Sequence, residues 1–214
     1  MSKNKKESFF WTSYSDLMTS LFFVMLVLFV LAIALLHRRM VATESELAKI
    51  KVLNKSIENI DSTYFQYDTI FKRHSLRDIE VKFQPRSSNI RDISWNERQK
   101  LLKSGWAIVT FMKNAQKNIP DAEYLLIVEG QSSMDGYAQN YELSYERALS
   151  LVKFWSSNGI VFDDLPCEVI ISGSGTSSKF RIYPERVIGG DGFKKGNPKN
   201  QRFVIHIIPK PGKF

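Results

Sequence analysis

Cysteine is almost missing. Cys167 is the only one in 214 residues, so no disulfide can close within the chain, and cysteine usage says nothing about the redox compartment. Histidine is scarce too: His37, His74 and His206 lie far apart and show no metal-ligand spacing. No Gly-x-Ser-x-Gly, metal motif or nucleotide-binding loop is present, so neither an enzyme nor a bound cofactor is expected. Positive charge is plentiful, with a net charge of +8 and a pI near 9.5. Yet Lys and Arg are scattered, without a zinc-ligand or RNP-like pattern, which argues against nucleic acid and leaves an anionic polymer or a lipid surface as the partner of a basic exterior.

Apolar residues make up 43% of the chain, a normal share, but they are concentrated between Leu17 and Leu36. Leu21 to Leu36 is unbroken, and with Leu17 to Ser20 it gives about 20 residues, enough for a helix to cross ~30 Å of hydrocarbon. A membrane helix is therefore expected over 17–37, after a short 1–16 segment. A cleavable signal peptide is the competing reading, but such segments have a shorter apolar core and a small-residue cleavage site, whereas this run ends Leu35-Leu36-His37-Arg38-Arg39. Lys3, Lys5 and Lys6 before the span and Arg38 and Arg39 after it leave orientation undecided. The remaining length holds one soluble domain.

Asp16 stands at the margin of the span, with Thr19 and Ser20 three and four residues later on the same helical face. An ionisable group in a span costs roughly 2.5–3.5 kcal/mol on insertion scales and tends to mark an ion path. The plain alternative is a first-turn acid at headgroup level, favoured by the helix dipole. The run Phe10-Trp11-Thr12-Ser13-Tyr14-Ser15-Asp16-Leu17-Met18-Thr19-Ser20 resembles the start of the MotB family of ion-motor subunits. That resemblance implies that Asp16 carries the transported proton or sodium ion, that the N-terminus is cytoplasmic and that the rest is periplasmic.

After the span, apolar residues recur at Ile50, Leu53, Ile57, Ile60, Tyr64, Tyr67 and Phe71 in a 3,4 spacing. This predicts a helical connector over 38–77, with a heptad seam suited to a parallel homodimer or to an amphipathic helix folded back on its own domain. By position in a MotB-like chain, the same stretch is also a candidate channel plug.

Over 78–214 the expected elements are a strand at Ile79–Phe83, a helix at Trp95–Lys117 with Leu101, Leu102, Trp106, Val109 and Met112 inward, a strand at Tyr124–Val128 and a helix at about Asn140–Ser157. Strands at Glu168–Ile171 and Phe203–Ile208 follow, separated by a long loop from Ser172 to Asn200. The β-α-β-α-β-β order predicts an α+β sandwich with helices on one face of a mixed sheet. Val128-Glu129-Gly130, Asn140-Tyr141-Glu142-Leu143-Ser144-Tyr145-Glu146-Arg147-Ala148, Gly173-Ser174-Gly175 and Asn200-Gln201-Arg202-Phe203 resemble an OmpA-like peptidoglycan-binding domain. The resemblance implies a site with Arg147 and Arg202 facing the ligand, Asn140 ordering the loop and Leu143 beside them. Arg147 also has a structural reading, as a helix arginine paired with Glu142 or Glu146. Where OmpA-like domains carry His-Thr-Asp, this chain has Gln131, Ser132 and Ser133, with Asp135 two positions on. Either Asp135 substitutes for the acid that grips the peptide amine, or the ligand differs.

The two resemblances together imply a B-type motor subunit in a bacterial inner membrane: a homodimer inside a ring of MotA-like partner subunits, anchored to peptidoglycan. The Phe-Trp-x-Ser-Tyr-Ser-Asp-Leu-Met-Thr run and the short connector are most similar to ZorB subunits of Zorya anti-phage systems. A passive peptidoglycan tether and a flagellar stator subunit are the alternatives.

Overall fold

The computed structural model describes residues 3–58, 60–176, 181–184, 186–188 and 194–210. The chain divides into two units, one up to Lys51 and one from Val52 onward. Helix α1, Lys3–Glu58, supplies the first unit and continues into the second. Between Leu17 and Leu36 its large apolar side chains are exposed, and none of that stretch is buried by protein. A helix apolar on all sides needs an apolar surrounding, and this one is long enough to cross a membrane.

The second unit is α+β. Strands β1 (Phe65–Asp68), β2 (Arg73–Leu76), β3 (Tyr124–Gln131), β4 (Cys167–Gly173) and β7 (Arg202–Pro209) form one sheet in the order β1-β2-β7-β3-β4, and β5 (Arg186–Ile188) pairs with β6 (Lys194–Gly196) in a second one. β3 and β4 run parallel, and the other pairs in the sheet are antiparallel. Alternation puts Tyr124, Leu126 and Val128 of β3 on the same side as Phe203, Ile205 and Ile207 of β7, and all six are buried. Helices α2 (Trp95–Asn118) and α3 (Asn140–Ser157) cover that side. Phe111 of α2 meets Tyr124 edge-on, and the Trp155 indole of α3 donates to the Leu101 carbonyl of α2 at 2.8 Å.

Three expectations change. First, the connector helix ends at Glu58, and Tyr64, Tyr67 and Phe71 fall in or beside the β1–β2 hairpin rather than on a seam. Leu53, Ile57 and Ile60 are buried in the domain core, so the fold-back reading of the 3,4 spacing holds and the domain begins near 52 rather than 78. Second, Ile79–Phe83 is not a strand; Val81 and Phe83 bury as extended chain, and the hairpin takes the sheet position. Third, Trp106 is 48% exposed, because the inward stripe of α2 runs through Leu101, Gly105, Ile108, Met112 and Ala115. The loop expected from Ser172 to Asn200 contains β5, β6 and a 3₁₀ turn at Pro198–Asn200, and lies partly outside the described residues.

Core membership of Leu53 has a measurable consequence. Leu53→Ala is expected to destabilise the domain by about 2–5 kcal/mol, the usual range for a buried leucine. Urea unfolding of the full chain in detergent reads this directly. A seam leucine would instead change the oligomeric state and leave the unfolding midpoint in place.

His74 sets a pH limit on the same region. It is buried, and its Nε2–H donates to the Ile57 carbonyl at the end of α1 (3.0 Å), while its ring packs against Tyr67. Burial pushes its pKa down to about 4, against the pull of the Ile57 carbonyl and helped by His206. The unfolded chain therefore binds the extra proton between about pH 6.5 and 4, and stability falls as pH drops through that window. The whole effect is roughly 3 kcal/mol at 1.36 kcal/mol per unit. Glu129 adds to the loss below about pH 4.5. Burial raises its pKa, but hydrogen bonds from His206, Gln131 and Ser174 and the His206 charge bring it to about 2. His74→Gln keeps a donor for Ile57 and is expected to flatten the pH 4–6.5 part of the stability profile. An unchanged slope would mean that His74 is not its source.

Candidate functional site

The first turn of α3 is ordered by side chains rather than by a standard cap. Gln139 caps nothing with its side chain; instead Asn140 Nδ2 donates to Asp135 Oδ1 (2.9 Å) and to the Tyr137 carbonyl (2.9 Å). Asp135 Oδ1 also accepts the Tyr137 N–H at 3.0 Å, an Asx turn that fixes the loop against the helix. Both amide bonds are donated, which settles the orientation of Asn140, and its buried Oδ1 has no partner among the described residues. Asp135 is low in pKa: burial raises it, and the Asn140 and backbone N–H bonds and the Arg147 charge more than offset that.

Close packing of α3 on the sheet then turns Arg147 inward. Gly130 and Gly173 pair across β3 and β4, and a Cβ at Gly130 would collide with the Ser144 carbonyl. Without side chains at these positions, the helix backbone rests directly on the strand ends. Leu143, Ser144, Arg147 and Ala148 consequently face the interior.

Arg147 is only 3% exposed. Its guanidinium lies over the Phe83 ring, 4.5 Å from the centroid, and its Nε–H donates to the Ser87 carbonyl at 3.0 Å. No ion pair forms with Glu142 or Glu146, and Glu146 instead accepts the Ser88 hydroxyl. Burial lowers its pKa to about 10, and the fields of Asp135 and Asp92 only partly restore it. An arginine carries five donors, and one is used here among the described residues. A buried cation without its own counter-ion costs stability, still several kcal/mol after relaxation. Chemically, the arrangement suits a carboxylate taken on the free edge of the fork.

Gln201 and Ser133 border the same region. Gln201 Oε1 accepts the Phe83 N–H (3.4 Å), and its Nε2 donates to Ser133 Oγ (3.3 Å). Arg202, expected beside Arg147, is on the other side of the sheet. It pairs in register with Gln131, donates to Gln131 Oε1 at 2.8 Å, and shares the field of Arg73, Glu129 and Arg181. Strand alternation is the reason: Phe203 is on the side covered by the helices, so Arg202 faces away. Leu143 is buried and packs.

Asp16 lies thirteen residues past the first described residue of α1, Lys3, so it is not a first-turn acid and the helix-dipole explanation does not apply. It is exposed, like its neighbours. Thr19 Oγ1 donates back to the Ser15 carbonyl (2.7 Å) and Ser20 Oγ to the Leu17 carbonyl (2.9 Å), so both hydroxyls are satisfied within the helix. Phe83, Ser87, Asp92 and Gln201 were not legible as site residues. A backbone carbonyl leaves no mark in a sequence, although Gln201 sits inside the quoted Asn200-Gln201-Arg202 run.

No protein-family model matches the chain, and a search of curated proteins finds no relative. Similar solved structures do exist. The C-terminal domain of Helicobacter pylori MotB is 15% identical over 61% of this chain and 84% of that one, with a TM-score of 0.38. The cell wall anchor of the T6SS from Pseudomonas aeruginosa is 16% identical over 72% and 93%, with a TM-score of 0.41. An outer membrane protein from Borrelia burgdorferi is 20% identical over 67% and 95%, at 0.40. The likeness is loose.

Proposed function

We propose that this chain is a single-pass membrane protein that grips peptidoglycan through Arg147 and carries an ion on Asp16, as a MotB-type subunit of an ion-driven rotary motor. The observation that carries the reading is the buried Arg147 fork, with no ion pair of its own, beside the Asp135–Asn140 turn. In this reading a stem-peptide carboxylate takes the free edge of the guanidinium, and Asp135 Oδ2 receives the amine of the same residue. Ser133, at the position of the usual acid, donates or accepts a hydrogen bond but holds no charge.

The motor half of the reading places the N-terminus in the cytoplasm, α1 in the inner membrane and the domain in the periplasm. A homodimer inside a ring of MotA-like subunits belongs to the same reading. Its dimer contacts would come from α1 before Lys51, since Leu53 and Ile57 are used in the domain core. The Trp11–Thr19 run favours a ZorB-like role in phage defence over flagellar motility. A passive wall tether is the second reading, favoured by Thr19 and Ser20 turning their hydroxyls onto their own helix.

Co-sedimentation checks the wall half. The full chain in detergent is expected to pellet with purified sacculi and to be released by free stem peptide. Failure to pellet with sacculi of the host would end the anchor reading.

A further inference from the structure

The face of α3 that continues from Arg147 borders a second concavity. Arg147, Ser150 and Phe154 fall on one stripe, about 10 Å long at 1.5 Å per residue. Beside it lies a groove of about 440 Å³ between the second half of α3, the 3₁₀ turn Ile90–Asp92 and the start of α2. That volume is within the usual range for a ligand site. Arg91, Arg98 and Lys153 line it, and no carboxylate does.

What sets these three cations apart is that they line one concavity. Lys82, Lys100 and Lys210 each sit on a carboxylate. Arg91, Arg98 and Lys153 form no ion pair among the described residues. Of the acids in neighbouring segments, Glu97 holds Lys100, Asp92 accepts the Gln84 N–H, and Glu146 at the groove's edge accepts the hydroxyl of the lining residue Ser88. Like charges gathered around one concavity, with no carboxylate in its lining, favour an anion from outside.

The rest of the lining is polar apart from Ile90 and one half-buried aromatic ring, Phe154. Ser150 and Ser157 donate their protons to helix carbonyls, which leaves their oxygens as acceptors. Phe154 supplies a flat apolar surface. Hydroxyl acceptors, one ring and three cations suit a sugar chain with acidic groups. Single-stranded nucleic acid would call for several stacking aromatics.

We propose that this groove binds an acidic glycan, a sugar chain bearing carboxylate or phosphate groups, at a site separate from the Arg147 fork. The proposal does not depend on the stem-peptide reading. Calorimetry on the full chain in detergent tests it, with an oligogalacturonate as probe and a neutral malto-oligosaccharide of equal length as control. The expected result is salt-sensitive binding of the acidic chain only, weakened at least ~10-fold by Lys153→Glu or by Arg91→Gln, since each removes a charge-assisted contact. Lys113→Glu, on an exposed α2 position about 22 Å along the helix from Arg98, is expected to change nothing. Arg147→Met should leave oligogalacturonate binding within about threefold while weakening sacculus binding at least ~10-fold, so the two sites fail separately. A glycerol-phosphate polymer run in parallel shows which acid the groove prefers. Equal losses from Lys113→Glu and Lys153→Glu would mean that only net charge is sensed, and would overturn the proposal. Equal affinity for a single-stranded oligonucleotide, or no binding of either acidic chain, would overturn it too.

Discussion

Asp16→Asn is expected to leave expression, membrane insertion and assembly unchanged and to abolish the biological output. The substitution keeps shape almost constant and removes only the titratable group. An ionisable group within a membrane helix is costly to insert and tends to mark an ion path, and an amide cannot carry a proton along one. The position supports this, because Asp16 is well inside α1 and has no helix terminus to stabilise. Asp16→Glu retains an acid and should keep part of the activity. The assay compares strains with matched protein levels for phage resistance or motility, as gene context directs. Full output from the Asn variant would leave the passive tether as the better reading.

The second large effect is expected at Arg147, where binding and stability should move in opposite directions. Arg147→Met keeps the length of the stem and its packing against Phe83 but removes the buried charge. Replacing a buried ion by a well-packed apolar residue is often neutral or stabilising by about 1–4 kcal/mol. Loss of the Ser87 bond and the ring contact works against part of that gain. The unfolding midpoint should therefore hold or rise, while sacculus binding falls by at least ~10-fold, given about 1.5–3 kcal/mol for a charge-assisted bond. A structural arginine would behave the other way, with lowered stability and unchanged binding.

Elements that satisfy a single period were legible in the sequence. α3 starts at Asn140 and ends at Ser157 as expected, because its apolar positions follow the helical repeat and Asn158-Gly159 stops it. The connector misled because 3,4 spacing is shared by a dimer seam and a helix packed on its own core, and only tertiary structure separates them. β1 and β2 were hidden under that same spacing. Their turn is marked by Asp68, whose Oδ1 accepts the N–H groups of Ile70 and Phe71. Helical spacing with Leu102, Val109 and Met112 predicts Trp106 inside, but the large inward slot is taken by Trp155, whose indole sits where a side chain at Gly105 would be. Arg147 was legible through its motif, whereas the Phe83 ring and the Ser87 carbonyl that hold it come from a segment some sixty residues away.

The claim that Arg147 receives a carboxylate is tested most directly at its own side chain. Nitrogen-labelled full-length protein in detergent, titrated with a soluble stem peptide, reports on the Arg147 Nε–H resonance. A saturable shift is expected with the free carboxylate and none with the corresponding amide. No shift, or the same shift with both peptides, would contradict the account.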